Sequence, residues 1–346
     1  MPPDAVLPTA PVSVAAALAP GTASSEAALA AATVRAVHDV AEGVRLLELV
    51  PAVGVRPYPV GSHLDIAVRI EGRDDVRSYS LVGAGPEDGA YRIAVRRVLD
   101  SRGGSEHVRA LTAGAATRIS RPRSHFELQY GRPEYLLVAG GIGITPMVGM
   151  SDALRRHGRP FRLLYAGRTR AQMPFVEQLR ERLGERLELF VSAEGRRLDL
   201  AVEIDRLHPD GELYLCGPQR LREAARTLWG ARGRPPERLR FETFASDGAR
   251  ANEPFRVRVV DHGDREIEVP RHRSLLDALT DNGVEVMWDC RRGECGLCRV
   301  RVLTADAEID HRDVYLSDEE KTAGDSVLAC VSRACGGTLT IDTGHR

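Results

Sequence analysis

Six cysteines occur among the 346 residues, and three of them, Cys290, Cys295 and Cys298, fall within nine positions with the spacing C-x4-C-x2-C. Cys330 follows 32 positions later. The set matches the ligand pattern of a plant-type [2Fe–2S] centre, in which four thiolates hold two irons bridged by two sulfides. Gly293 and Gly296 lie between the thiols, where the backbone can wrap tightly and aim amide N–H groups at sulfur. Zinc is the competing metal, although structural zinc sites present pairs spaced two to four apart; plain buried thiols are the other alternative. Cys335 offers a second choice for the fourth ligand, and Cys330 is the one expected. Cys216, at the end of the apolar run ELYLC, is either a small buried hydrophobe or a residue facing a cofactor. Trp288 is expected to shield the cluster by packing.

Three further stretches could hold phosphate or an aromatic cofactor. Arg77-Ser78-Tyr79-Ser80-Leu81 reads as a strand with Arg77, Tyr79 and Leu81 on one face and Ser78 and Ser80 on the other; alone it is an ordinary strand. Farther on, Ser101-Arg102-Gly103-Gly104-Ser105 precedes the helical stretch HVRALT. Glycines and a hydroxyl at a helix start leave N–H groups for a phosphate, with Arg102 and Arg77 as countercharges, or they simply cap the helix. Gly140-Gly141-Ile142-Gly143-Ile144-Thr145-Pro146 follows the apolar strand YLLVA and leads to a helix expected near Met147. Such a turn lets the backbone approach a pyrophosphate, and Pro146, in place of the last fingerprint glycine, suits a first helical turn. After the second strand, FRLLYAG, the chain carries Arg168 and Arg170 where an acid would meet the ribose of NAD. Those cations either favour a 2′-phosphate or belong to a solvated loop.

The elements that must position these groups change character in three steps. Residues 33–130 are strand-like, with VRLLELV, LDIAVRI and YRIAVRRV separated by turn residues, which predicts an antiparallel β-barrel or sandwich. Residues 131–245 alternate strands and helices, which predicts an α/β unit with a parallel sheet. Residues 246–253 (SDGARANE) read as a linker, and 254–346 as an α+β unit. Residues 1–32, rich in Ala and Pro, lack the basic start of a secretory signal and are expected to be a disordered tail. With 48 Lys plus Arg against 49 Asp plus Glu, the net charge is −1, so no global field draws nucleic acid or anionic lipid. Apolar runs fall short of the roughly 18 residues of a membrane span. Clustered thiols without a disulfide framework suggest a reducing, cytoplasmic setting.

In the order RSYSL, SRGGS, GGIGITP, LYLCGP and C-x4-C-x2-C with a distant cysteine, the chain resembles the phthalate dioxygenase reductase family from about residue 33 to residue 345. The resemblance implies a β-barrel flavin domain, an α/β nicotinamide-binding domain and a C-terminal β-grasp ferredoxin domain, with FMN rather than FAD. It implies that Arg77, Ser78, Tyr79 and Ser80 meet the flavin and that Arg102, Gly103, Gly104 and Ser105 hold its phosphate. Gly141, Gly143 and Thr145 would line the nicotinamide and pyrophosphate site, with Arg168 and Arg170 near the ribose, Cys216, Gly217 and Pro218 beside the nicotinamide, and Phe244 near the flavin face. Ser80, Thr145 and Cys216 are the residues expected closest to the reacting atoms. NADH is expected, with NADPH kept open by the two arginines. Arg291 and Arg292 put two cations in the cluster loop, expected to raise its potential or help a partner dock.

A nicotinamide releases two electrons together and a [2Fe–2S] centre accepts one, so a flavin between them resolves the mismatch. The resemblance therefore implies an NAD(P)H-dependent reductase that acts as a monomer and serves a separate oxygenase component, Rieske-type or cytochrome P450. Residues 253–346 carry 13 Lys or Arg and 19 Asp or Glu, a charge of −6, which would steer a basic acceptor or merely keep the unit soluble. Two readings from other classes are a redox sensor that does not turn over and a ferredoxin-like carrier with an empty barrel.

Overall fold

The computed structural model describes residues 29–70, 72–86, 88–98, 103–243 and 252–344. Arg102 and Phe244 lie outside the described residues. The N-terminal unit comprises β1 (Ala30–Ala41), β2 (Val44–Pro51), β3 (Ser62–Ile70), β4 (Arg73–Ser80), β5 (Tyr91–Arg96), helix α1 (Gly104–Ala110), β6 (Ala116–Ile119) and β7 (Arg123–Ser124). The strands run in the order β4-β3-β6-β1-β2-β5, all pairs antiparallel, with β7 beside β3. A bridge between Leu81 and Ile93 brings the two ends together, so the sheet closes into a barrel with no long free edge. Leu47, Leu49, Leu64, Ile66 and Ile93 fill its interior. The barrel begins earlier than residue 33: Ala30–Thr33 pair with β6 and Ala32 is buried. Alanine has little strand preference, so this edge does not stand out from the Ala-rich residues before it.

The middle unit comprises β8 (Tyr135–Gly140), α2 (Ile144–Arg156), β9 (Phe161–Gly167), α3 (Val176–Leu183), β10 (Leu187–Val191), α4 (Leu200–Arg206), β11 (Glu212–Cys216), α5 (Gln219–Ala231) and β12 (Leu239–Glu242). Its sheet is parallel in the order β10-β9-β8-β11-β12. β8 is buried along its whole length, as a strand covered on both faces must be. The order reverses between β8 and β11, which opens a crevice at their carboxyl ends. α2 starts at Ile144, three residues before the expected Met147, because a 3-10 turn over Gly141–Gly143 runs straight into it. Pro146 still falls in the first turn, where its missing N–H costs nothing. Val44, Val82, Phe126 and Leu128 of the barrel share one core with Tyr135, Met147 and Tyr214 of this unit.

The C-terminal unit comprises β13 (Phe255–Val259), β14 (Arg265–Val269), α6 (Leu275–Asp281), β15 (Arg299–Ala305), β16 (Ile309–Asp310), α7 (Asp318–Ala323), β17 (Ser326–Leu328), β18 (Arg333–Ala334) and β19 (Thr338–Asp342). Its mixed sheet runs β14-β13-β19-β15-β17, with β13 and β19 parallel and α6 packed against β14. Ser274 and Asp277 form a reciprocal cap at the start of α6, as do Ser317 and Glu320 at α7, each satisfying orphan N–H groups. The expected linker ends sooner than residue 253. Asn252 accepts a hydrogen bond from Arg312 at 2.6 Å, and the Glu253 carbonyl accepts one from Arg333 at 3.0 Å.

Candidate functional site

The carboxyl ends of β8, β11 and β12 lie side by side, with Ala139 opposite Cys216 and Cys216 opposite Glu242. The turns after β8 and β11 touch. A Cβ on Gly143 would stand 2.0 Å from the Cys216 carbonyl oxygen, and Gly140 has the same lack of room beside Gly217 and Pro218. This close approach leaves a cradle of backbone at the switch point, suited to a pyrophosphate at the start of α2. Gly141, with φ of 57°, has nothing within 4 Å of its missing Cβ. The Thr145 hydroxyl is buried and donates to the Ile142 carbonyl at 3.1 Å, which braces the turn from inside. Cys216 is fully buried, and burial followed by Glu242 and Glu294 pushes its thiol well up. It is therefore a neutral thiol rather than a nucleophile.

On the barrel side, β4 carries Arg77 to Ser80. Arg77 pairs with Asp75 at 2.8 Å and donates to the Val76 carbonyl at 2.7 Å, while its Nε lies 2.5 Å from where a Gly104 Cβ would be. The guanidinium thus leans on the first turn of α1, next to Gly103, whose φ is 92°. Tyr79 is partly buried against the barrel core, and desolvation raises its hydroxyl to about 12. Ser78 donates to Asp65 at 2.5 Å; Asp65 also pairs with Arg123. Ser80 is buried and donates to Glu242 Oε2 at 2.7 Å. His63 lies opposite Ser80 across β3 and β4, 3% exposed and stacked on His125 at 5.6 Å. Burial, then Arg292, then Arg123 push it down to about 2, so it stays neutral.

In the C-terminal unit the cysteine loop uses left-handed backbone at Arg291, Gly293 and Gly296. Glycine is required at the last two: a Gly296 Cβ would strike the Tyr315 ring at 2.3 Å, and a Gly293 Cβ would meet Val331 at 2.7 Å. The wrap turns the N–H groups of Arg292 and Glu294 onto Cys290 Sγ, both at 3.4 Å. The thiols fall into two contacting pairs, Cys290 with Cys295 and Cys298 with Cys330, as four ligands shared between two irons must. The tight wrap, the two N–H groups aimed at Cys290 Sγ and the paired thiols fit a [2Fe–2S] centre. Cys335 instead follows β18 and its N–H donates to Glu308. Trp288 packs against the local core with Arg291 over its ring at 4.1 Å.

The loop meets the other two units through Arg292, already expected as a loop cation, and through Glu242, Thr243 and Glu294, which the sequence did not single out. Arg292, 6% exposed, pairs with Glu242 at 3.0 Å and with Glu294 at 3.1 Å. Thr243 donates to Glu294 Oε1 from its N–H at 2.9 Å and from its hydroxyl at 2.5 Å. Glu242 is fully buried; burial drives its carboxyl up to about 7 against the opposing pull of Arg292 and Ser80. Arg291 pairs with Asp277 at 3.2 Å. Both cations of the loop are thus engaged inside the molecule, and Arg292 is not available to a docking partner. The expected basic loop after β9 is altered too: Arg170 is held by Glu194 through two bonds of 2.6 and 2.9 Å, while Arg168 is exposed.

A closed antiparallel barrel, a parallel sheet with a crevice at its switch point and a cysteine loop folded for [2Fe–2S] together define a modular flavin and iron–sulfur oxidoreductase. Family models described as "Oxidoreductase FAD-binding domain" and "2Fe-2S iron-sulfur cluster binding domain" match residues 32–128 and 259–335. The chain belongs to the phthalate dioxygenase reductase family. It is 36% identical to phthalate dioxygenase reductase of Burkholderia cepacia over 83% of this chain and 88% of that protein. It is 39% identical to the haem-dependent oxidative N-demethylase beta subunit of Ectopseudomonas mendocina over 82% and 89%. The solved structure of phthalate dioxygenase reductase, described as modular for electron transfer from pyridine nucleotides to [2Fe–2S], superposes with a TM-score of 0.75 at 32% identity, covering 91% of this chain and 98% of that one. The full-length cytochrome P450 CYP116B46 of Tepidiphilus thermophilus, 42% of which is covered by 90% of this chain, gives a TM-score of 0.64 at 33% identity. Zinc and unligated thiols are thereby set aside for the cysteine loop. Among the described residues no helix is long and apolar enough to cross a membrane.

Proposed function

We propose that this chain is the reductase component of an oxygenase system, taking electrons from NADH and delivering them singly to a separate oxygenase. When bound, a flavin supplies the conversion of a two-electron donor into one-electron steps, and the [2Fe–2S] centre supplies the single-electron exit. The observation that carries the reading is the unbroken buried chain Ser80–Glu242–Arg292, which joins barrel, crevice and cluster loop at one point. Gly141, Gly143 and Thr145 bind the pyrophosphate with backbone, and Cys216, Gly217 and Pro218 form the floor beneath the nicotinamide. Arg77, Gly103, Gly104 and Ser105 hold the flavin phosphate, which favours FMN because the countercharge rests on the start of α1. Ser80 donates to Glu242, which leaves its oxygen lone pairs to accept from an N–H above it. The buried walls of this junction keep water from the reacting atoms.

The exit lies at the opposite edge of the cluster loop. Cys295 is partly exposed whereas the other three ligands are buried, and Leu297 and Tyr315 stand out beside it, 46% and 49% exposed. Exposed Asp289, Asp318 and Glu319 flank them in the chain, which suits a basic partner with an apolar centre. A Rieske-type aromatic-ring oxygenase or demethylase is the first expectation for that partner. A haem oxygenase is the second reading, favoured by the 39% identical relative named as a haem-dependent N-demethylase component. Anaerobic titration of the holoprotein with NADH tests the proposal: the flavin absorbance bleaches and a reduced-cluster EPR signal grows with it. A cluster that stays oxidised and EPR-silent after bleaching would overturn it.

A further inference from the structure

The peptide from Thr243 to Asn252 is the covalent connection between the nicotinamide unit and the cysteine unit. Its eight intervening residues could span up to roughly 27 Å when extended, so the chain alone does not fix how near the cysteine loop lies to the barrel. What ties it down, beside a looser pairing of Arg273 with Asp75 of β4 at 3.9 Å, is a two-armed contact at the carboxyl end of β12. One arm is Arg292 to Glu242 at 3.0 Å, with Glu242 held in turn by Ser80 at 2.7 Å. The other is Thr243, whose N–H and hydroxyl both donate to Glu294, with the hydroxyl oxygen also 3.1 Å from the Arg292 carbonyl. Glu242, Thr243, Ser80 and Arg292 are all buried. An ion pair this enclosed is a poor source of net stability, because desolvation consumes most of its attraction. Its value is geometric: it tolerates only one arrangement of the two units.

We propose that Glu242 and Arg292, seconded by Thr243 and Glu294, form an interdomain latch that positions the cluster loop for electron transfer from the flavin. The inference rests on the flavin-to-cluster reading above and adds the residues that set the distance. The latch residues of the loop, Arg292 and Glu294, are the same two whose N–H groups donate to Cys290 Sγ. Releasing their side chains therefore loosens those bonds as well, and N–H donation to a ligand sulfur favours the reduced centre. One lesion thus moves two quantities, the electron-transfer rate and the reduction potential. Arg292→Leu also removes a cation two residues from Cys290, so the charge-preserving variants Arg292→Lys and Thr243→Val carry the potential readout; a residue that merely stabilised the fold would shift neither quantity in them.

The test uses holoprotein carrying Arg292→Leu, Arg292→Lys or Thr243→Val, each compared with wild type by anaerobic stopped flow with NADH. The readout is the rate of cluster reduction relative to the rate of flavin bleaching in the same trace. The expected result is a fall in this ratio of more than tenfold for Arg292→Leu and threefold or more for Thr243→Val, with partial recovery in Arg292→Lys. The cluster potential should move negative in the same order, and small-angle scattering should report a larger radius of gyration. If Arg292→Leu does not fold, Arg292→Lys and Thr243→Val decide. A ratio within twofold of wild type in the variants that fold, with unchanged potential and radius, overturns the latch. Failure of the underlying reading is distinguishable, since it leaves the wild-type cluster oxidised.

Discussion

Replacing Gly143 with alanine tests whether the crevice between β8 and β11 is the nicotinamide site. The added Cβ would lie 2.0 Å from the Cys216 carbonyl oxygen, 2.5 Å from its carbon and 3.0 Å from the Gly217 nitrogen. All three are backbone atoms at the ends of hydrogen-bonded central strands, so none can swing aside. Restoring ordinary contact near 3.4 Å requires the two turns to part by about 1.4 Å. Overpacking of this kind costs about 1–3 kcal/mol, which should lower Tm by several degrees. The effect on chemistry is larger, because a displacement of about 1 Å at a positioned reactant costs roughly a hundredfold. We expect kcat/KM for NADH with ferricyanide to fall about a hundredfold. Gly141→Ala, in the same turn, meets no protein atom within 4 Å and carries a left-handed backbone cost of about 1–2 kcal/mol, so it should leave the Cys216 turn in place and lower Tm without parting the strands. The cluster, reduced by dithionite, should give the wild-type EPR signal in both variants. A Gly143→Ala protein that keeps more than a third of its kcat/KM would refute the assignment of the crevice.

Cys330→Ser should lose most of the visible iron–sulfur absorbance, while Cys335→Ser should retain it with the wild-type EPR line shape; the reverse pattern would reassign the fourth ligand. Glu194→Gln frees Arg170 from a two-bond carboxylate partner, so the ratio of kcat/KM for NADPH to that for NADH should rise about three- to tenfold, and an unchanged ratio would mean that the cofactor ribose does not reach this turn. Glu242 has a folded-state pKa of about 7, raised from 4.5 mainly by burial, so between those values the folded state holds a proton that the unfolded chain has released. Its contribution to stability therefore falls as pH rises from about 4.5 to 7, by at most about 3 kcal/mol, and is flat above. Calorimetry of wild type and Glu242→Gln across pH 5–8 should show the wild-type Tm losing ground to the variant over that window; a constant difference would contradict the sign.

The division into barrel, parallel α/β unit and cysteine unit was legible because each depends on local signals: alternation, strand–helix period and cysteine spacing. So was the Gly140–Thr145 turn, whose glycines answer a contact made within one fold unit. What stayed hidden was the junction. Glu242 sits in the strand Leu239–Glu242 with no pattern that marks it as buried, since its partners Ser80 and Arg292 lie 162 and 50 residues away. Charged residues are ordinarily read as solvent-facing, which is why Arg292 looked like a docking cation. The same limit explains Arg170, whose charge is opposed by Glu194, 24 positions on and in a different strand's turn. Motif reading proposes residues for each cofactor within its own unit. The residues that decide how one unit sits on the next are polar, buried and brought together only by tertiary structure, so in a modular redox chain the distance between centres is the property least written in any single segment.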